Sequence, residues 1–278
     1  MSTKGKINPL FPLFLFVTFS VVSYDPNEKK WGVGVASRFL SVGSVVPWAK
    51  AGVGCIATQS YANYTYGPEG LDMLRTHNSR EAIESLTSRD SMASKRQVAA
   101  VDSNGTPFAF TGSECMNYAG HIVGRNFSVQ GNILAGPSVL EGMSQEMSRE
   151  GKLEDRILAA LFAAERQGGD RRGRQSACIL VVSENEHFEE GSDIYMDIRV
   201  EDAKDPIPEL SRVMGIWMAT FFENEFVSIG DHREQIERAV RESGFESLEK
   251  LAESRNVEFN IKDGKIGKHT LKLITMGQ

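Results

Sequence analysis

Residues 18–38, TFSVVSYDPNEKKWGVGVASR, constrain this chain more than any other stretch. An apolar run ends in Asp25-Pro26-Asn27, residue types that favour a turn, and a second apolar run over residues 31–36 carries Gly32 and Gly34. The pattern predicts a β-hairpin. Its first residue, Thr18, is a candidate nucleophile, provided its α-amino group is free.

Beyond the hairpin, residues 41–59 are rich in valine and glycine, and Gly43, Pro47, Gly52 and Gly54 would interrupt any helix, so two short buried strands or one bent strand are expected. The aromatic and polar stretch 60–67 reads as a loop of the kind that lines sites. Pro68 is expected at the first position of a helix, and Ser79 as the N-cap of the next. Asp102-Ser103-Asn104-Gly105 between two apolar runs predicts a second hairpin. Residues 112–124 read as a loop and residues 127–135 as a strand interrupted by glycine. Two helices follow, the second over residues 153–166, with Ile157, Leu158, Leu161 and Phe162 at helical spacing. Residues 177–182 then read as a central strand and residues 194–200 as an edge strand. Strands and helices in these blocks, without regular βαβ alternation, predict an α+β fold with antiparallel sheets covered by helix pairs, an αββα layering. Asp205-Pro206-Ile207-Pro208 marks a boundary, so residues 18–204 form the main domain. Residues 205–278 hold an amphipathic helix and a small appendage, with strand-like alternation at Val257, Phe259 and Ile261.

Charge and cysteine content narrow the function class. The net charge of −6 comes from 37 acidic and 31 basic residues without a long basic block, which argues against nucleic acid as a partner. Cys55, Cys115 and Cys178 form no CxxC pair and sit among apolar or small residues, as buried thiols in a reducing, cytoplasmic compartment would. Five scattered histidines give no metal-ligand spacing, and no motif calls for a cofactor. The sequons at Asn63 and Asn126 read as chance matches.

Residues 1–22 carry Lys4 and Lys6 ahead of an apolar run, which resembles a secretory signal. That run lacks a small-x-small cleavage site and is short for a membrane span, so no membrane association is expected. The preferred reading makes residues 1–17 a leader absent from the working molecule. Translation from a GTG codon at Val17, or autocatalytic scission before Thr18, would each leave Thr18 first.

A free α-amine has a pKa of about 7.7–8 and can take the proton of a neighbouring hydroxyl, so one residue supplies nucleophile and base. Lys50 is a candidate cation beneath such a site. Asn63, Asn132 and the backbone at Gly131 are candidate hydrogen-bond donors to an oxyanion. Arg171, Arg172 and Arg174, with Asp170 beside them, are candidates to read a substrate carboxylate. Each has an ordinary alternative: Thr18 as a strand threonine, Lys50 as a solvated strand end, the asparagines as turn formers, the arginines as a surface loop, and Asp170 as a cap or ion-pair partner.

Several segments taken together, residues 18–71, RQVAAVDSNGTPFAFTG, FSVQGNILAG and GGDRRGRQSACILVV, resemble the prokaryotic family labelled domain of unknown function 1028. The resemblance runs over residues 18–200. Through that family the chain is similar to N-terminal-nucleophile (Ntn) hydrolases, and Ser37-Arg38 after the second strand resembles a proteasome β-subunit. The resemblance implies a four-layer αββα sandwich, an amidohydrolase with Thr18 as nucleophile and Arg38 near the substrate, and a small-molecule or peptide-like substrate. A homo-oligomer is compatible with it. Ala36 stands where the proteasome-like pattern has an aspartate, and Lys50 does not align securely with the proteasome lysine. A non-catalytic scaffold for binding or assembly is the alternative.

Overall fold

The computed structural model describes residues 18–275. The expected leader, residues 1–17, lies outside them. The described residues divide into two compact units, one of residues 18–187 with 193–207 and one of residues 188–192 with 208–275.

The first unit opens with the expected hairpin. β1 (Thr18–Asp25) pairs with β2 (Lys30–Ser37) from Thr18 opposite Ser37 to Asp25 opposite Lys30. Asp25 Oδ1 accepts from the backbone N–H groups of Asn27 and Glu28 and closes the turn. There follow β3 (Pro47–Lys50), β4 (Gly54–Ser60), α1 (Tyr66–Leu74), α2 (Ser79–Ser88), β5 (Arg96–Asp102), β6 (Pro107–Thr111), β7 (Gly120–Gly124) and β8 (Phe127–Gly131). Then come α3 (Ser138–Met147), α4 (Leu153–Arg166), β9 (Ser176–Ser183) and β10 (Ile194–Val200); the next helix, α5 (Pro206–Phe221), belongs to the second unit from Pro208 on. The strands make two antiparallel sheets, ordered β10-β9-β2-β1-β8-β7 and β3-β4-β5-β6. The hairpin thus takes the centre of the six-stranded sheet, and β10 is an edge strand.

Alternation along the strands separates the faces. Val22, Trp31, Val33 and Val35 of the hairpin pack against Cys55, Ala57, Ala99 and Val101 of the four-stranded sheet. The other face of that smaller sheet, Ile56, Val98 and Ala100, is covered by Tyr66 and Leu74 of α1 and by Ile83 and Leu86 of α2. The other face of the hairpin lies under α4. A Cβ on Gly34 would stand 2.3 Å from Ile157 Cγ2, and one on Gly32 2.5 Å from Ile157 Cδ1, so these glycines let helix and sheet approach. Gly34→Val is therefore expected to destabilise the unit by about 3 kcal/mol, measured as a lower denaturant midpoint.

Local expectations at several termini change. Pro68 is the third residue of α1, which starts at Tyr66. A proline is tolerated there because first-turn N–H groups have no intrahelical partner. The cap of α2 is Asn78: its side chain accepts from Glu81 N–H while the Glu81 carboxylate accepts from Asn78 N–H. That reciprocal box displaces Ser79, which is buried as the first helical residue. The span expected as a loop over 112–124 ends in strand β7, joined to β8 by a turn in which Asn126 takes φ 63°. All three cysteines are free and buried, and burial raises the thiol pKa of each, Cys55 to about 12.

Asp90 fastens α1 to the sheet. Its carboxylate accepts from Arg96 Nε at 2.8 Å, Tyr66 Oη at 2.9 Å and Met92 N–H at 2.8 Å. Burial pulls its pKa up, but these hydrogen bonds outweigh burial and hold it down at about 2. A carboxyl with a depressed folded-state pKa stabilises the fold above its unfolded value, and the contribution drains away as pH falls from about 4 to about 2. Asp90→Asn is expected to remove that part of the acid dependence, read as a flatter melting-temperature profile between pH 4 and pH 2.

The second unit has its own core of Ile236, Leu251, Ile266, Leu271 and Ile274. A three-stranded sheet of β11 (Phe226–Ser228), β12 (Ile261–Lys262) and β13 (Lys265–Gly267) in the order β11-β13-β12 joins α6 (Arg233–Glu242), α7 (Leu248–Glu253) and α8 (Lys268–Thr275). Buried Asn260 donates to Ala219 O and to Thr270 Oγ1. The alternation at Val257, Phe259 and Ile261 is not one strand: residues Glu258–Asn260 form a 3-10 turn that leaves Phe259 exposed. No described helix is long and apolar enough to cross a membrane.

Candidate functional site

At the Thr18 end of the hairpin the space between the two sheets stops being apolar. Thr18, Ser20, Ser37, Gln59, Gln97, Ser128, Gln130 and Asn132 are each no more than 2% exposed and form a polar layer there. Alternation puts them there: Ser20 stands opposite Gln130, and Gln59 opposite Gln97, on the faces that carry Val22, Ala57 and Ala99 further along.

The hydrogen bonds in this layer run one way. Ser128 Oγ donates to Gln130 Oε1 (2.9 Å), Gln130 Nε2 to Ser20 Oγ (2.7 Å), and Ser20 Oγ to Gln59 Oε1 (2.6 Å). Gln59 Nε2 donates to Gln97 Oε1 (2.8 Å), and Gln97 Nε2 ends the chain on the carbonyls of Gly131 (2.9 Å) and Gly120 (3.0 Å) and on Thr111 Oγ1 (3.0 Å). Thr18 sits against this relay. Its Oγ1 donates to Ser37 Oγ at 3.3 Å, and its carbonyl accepts from Gln59 Nε2 at 3.4 Å and from Asn132 N–H at 3.1 Å.

Next to Ser37 lies a pocket of about 110 Å³ lined by Phe19, Ser37, Glu165, Gly169, Asp170 and Arg174, among others. Its far wall is the loop GGDRRGR. Asp170 holds that loop, its buried carboxylate accepting from Arg38 N–H (2.9 Å), Arg172 N–H (2.9 Å) and the Arg172 guanidinium. The Arg38 guanidinium donates to Arg172 O. Arg174 is clamped between Glu165 at 2.8 Å and Asp205 at 2.6 Å.

Among the residues the sequence singles out, Thr18, Gly131 and Asn132 meet in the polar layer. Arg38, Asp170, Arg172 and Arg174 meet in the loop beside it. Two others lie elsewhere. Lys50 pairs with Gly54, about 17 Å along β4 from Gln59 at ~3.4 Å per residue, and its ammonium is bound to Asp193 at 2.9 Å. Asn63 lies across the smaller sheet from the layer, on the helix-covered side, where its carbonyl accepts from Thr58 Oγ1 and its Oδ1 from Thr65, the bonding of a turn former. Asn132 gives one of the two Nδ2 hydrogens of its amide to Gln97 Oε1 at 3.1 Å. Gly131 lies within the β1/β8 and β8/β7 ladders, with its carbonyl taken by Gln97. Arg172 and Arg174 are bound to carboxylates of the chain itself; the Arg171 side chain is exposed, with its backbone N–H on Ile133 O.

Ser20, Ser37, Gln59, Gln97, Ser128 and Gln130 escape a reading by motif. Their signal is a polar residue at an inward position of an apolar strand, and inwardness is defined only once the strands are paired.

The family model described as a family of unknown function, DUF1028, matches residues 18–210. The crystal structure of protein SPO2555 from Silicibacter pomeroyi, which carries the same family label, is similar at 30% sequence identity with a TM-score of 0.66, covering 73% of this chain and 89% of that one. No functionally curated protein matches the chain. The chain therefore belongs to the DUF1028 family, whose function is unknown and whose model begins here at Thr18.

Proposed function

We propose that the first unit is an Ntn-type hydrolase of four-layer αββα form, cleaving an amide bond in a small or peptide-like substrate with Thr18 as nucleophile. One observation carries this reading: the residue at which the family match begins is also the one whose hydroxyl lies buried in a polar layer at the end of the central strand. With Thr18 first, its α-amine takes the Oγ1 proton as Oγ1 attacks the substrate carbonyl. The amine then hands that proton to the leaving group, and water cleaves the resulting ester. The partners of Thr18 in the layer are uncharged. Burial by itself favours the neutral, basic amine, so the role assigned to a lysine falls to desolvation. The pocket that Ser37 helps to line is of a size for a small group, but Phe19 and Ala36 line it on the α4 side and Thr18 does not, so a substrate group held there meets Oγ1 only around the end of β1.

Intact mass of the protein isolated from its native source tests the first requirement, a chain that starts at Thr18. A mature chain that keeps residues 1–17 rules the mechanism out. Given the right terminus, an electrophile that traps N-terminal threonines should label Thr18 once per chain. A non-catalytic scaffold predicts no labelling.

A further inference from the structure

Asn132 has an unused acceptor in a layer that otherwise leaves little unpaired. Its side chain is 1% exposed, and among the described residues its Oδ1 has no hydrogen-bond partner. The amide cannot be turned around to cure this. Gln97 must face the carbonyls of Gly131 and Gly120 with its nitrogen, because carbonyls only accept, so its oxygen faces Gln59 and Asn132. Asn132 must then present Nδ2 to Gln97, which leaves Oδ1 over.

The backbone puts Asn132 beside the terminus of β1. Phe19 stands opposite Gly131, so Thr18 and Asn132 are the next cross-strand neighbours, and Asn132 N–H donates to Thr18 O. Cross-strand neighbours point their side chains to the same face. A peptide N–H at Thr18 carries one donor held in the sheet plane, whereas a terminal amino group carries two or three that turn freely.

We infer that Asn132 Oδ1 accepts a hydrogen bond from the α-amino group of Thr18 and positions it as the base. This rests on the proposed function, since it needs Thr18 to be the first residue. Asn132 is then a positioning residue acting on the base through an acceptor, the reverse of an oxyanion donor.

The test is the pH titration of the Thr18 amine, followed by ¹⁵N NMR in threonine-labelled mature protein, where an amine nitrogen resonates far from backbone amides. An acceptor favours the charged amine, so Asn132→Leu should lower the titration midpoint by about one pH unit. Asn132→Asp sets a negative charge at the same place and should raise it. Both variants lose the bond to Gln97, so a purely structural role would move both midpoints the same way, whereas the acceptor role splits them. Midpoints that stay put or move together overturn the inference. If one variant fails to fold, the other against the parent decides by its sign. A mature chain retaining residues 1–17 overturns both this inference and the hydrolase reading. Unsplit midpoints in a chain that starts at Thr18 and hydrolyses amides overturn the role of Asn132 alone.

Discussion

Thr18→Ala is expected to lower amide hydrolysis by at least about 10³-fold while leaving the circular dichroism and the cooperative melt of the first unit in place. The size follows from the chemistry: the variant keeps the α-amine and the pocket but has no oxygen to attack with, so both steps of the covalent route are lost together. The fold survives because the deletion removes one methyl and one hydroxyl at the end of a strand, and the hydroxyl makes a single long bond of 3.3 Å to Ser37. The backbone bonds that seat Thr18, from Asn132 N–H and Gln59 Nε2 to its carbonyl, do not depend on the side chain. Thr18→Ser should retain measurable turnover, since it keeps the oxygen. Hydrolysis undiminished in Thr18→Ala would move the chemistry to other residues.

Gln97→Leu has the largest expected effect on stability, a loss of about 3–5 kcal/mol. Leucine matches glutamine closely in bulk, so packing contributes little to the loss. The damage is polar: the carbonyls of Gly131 and Gly120 lose their donor, and Gln59 Nε2 and Asn132 Nδ2 lose the oxygen they share. Each buried polar group left without a partner costs about 1–3 kcal/mol, and partial relaxation keeps the sum below the simple total. Thermal unfolding of the first unit should shift down by about 10 °C. A shift no larger than that of an exposed substitution would mean the layer is bridged by water rather than by Gln97.

These two residues differ in how far the sequence discloses them. Thr18 is legible because a hairpin with a Pro-Asn turn declares where its first strand starts. The α4 helix and the strands over 176–183 and 194–200 are legible for the same kind of reason, a strong local period that packing then obeys. Gln97 carries no such mark. It sits at the start of a strand like many surface glutamines, and only its pairing with Gln59 and Thr111 turns it inward. Lys50 is the converse case. A strand-end lysine near the hairpin in sequence invites a role as the proposed site's cation, yet β3 runs it to the far end of the sheet, where Asp193 neutralises it. The arginine loop is legible as a specific string, but its composition does not reveal that Asp170, Glu165 and Asp205 occupy Arg172 and Arg174 from within. Local pattern reports elements, whereas a site built between sheets depends on register, which is a property of pairs of strands.

The one-way order of the relay also bears on how the two sheets find their alignment. Their shared face is mostly valine, alanine and cysteine, small side chains that would fit nearly as well after sliding by one side-chain repeat. Ser20 with Gln59 and Asn132 with Gln97 cross from the larger sheet to the smaller, and each demands a donor opposite an acceptor. A slipped sandwich would bury amides facing alanine or valine and forfeit the whole chain of bonds at once. The polar layer thus acts as a key that admits a single docking of the two sheets, and a chain that misassembles should do so by losing this key before it loses either sheet.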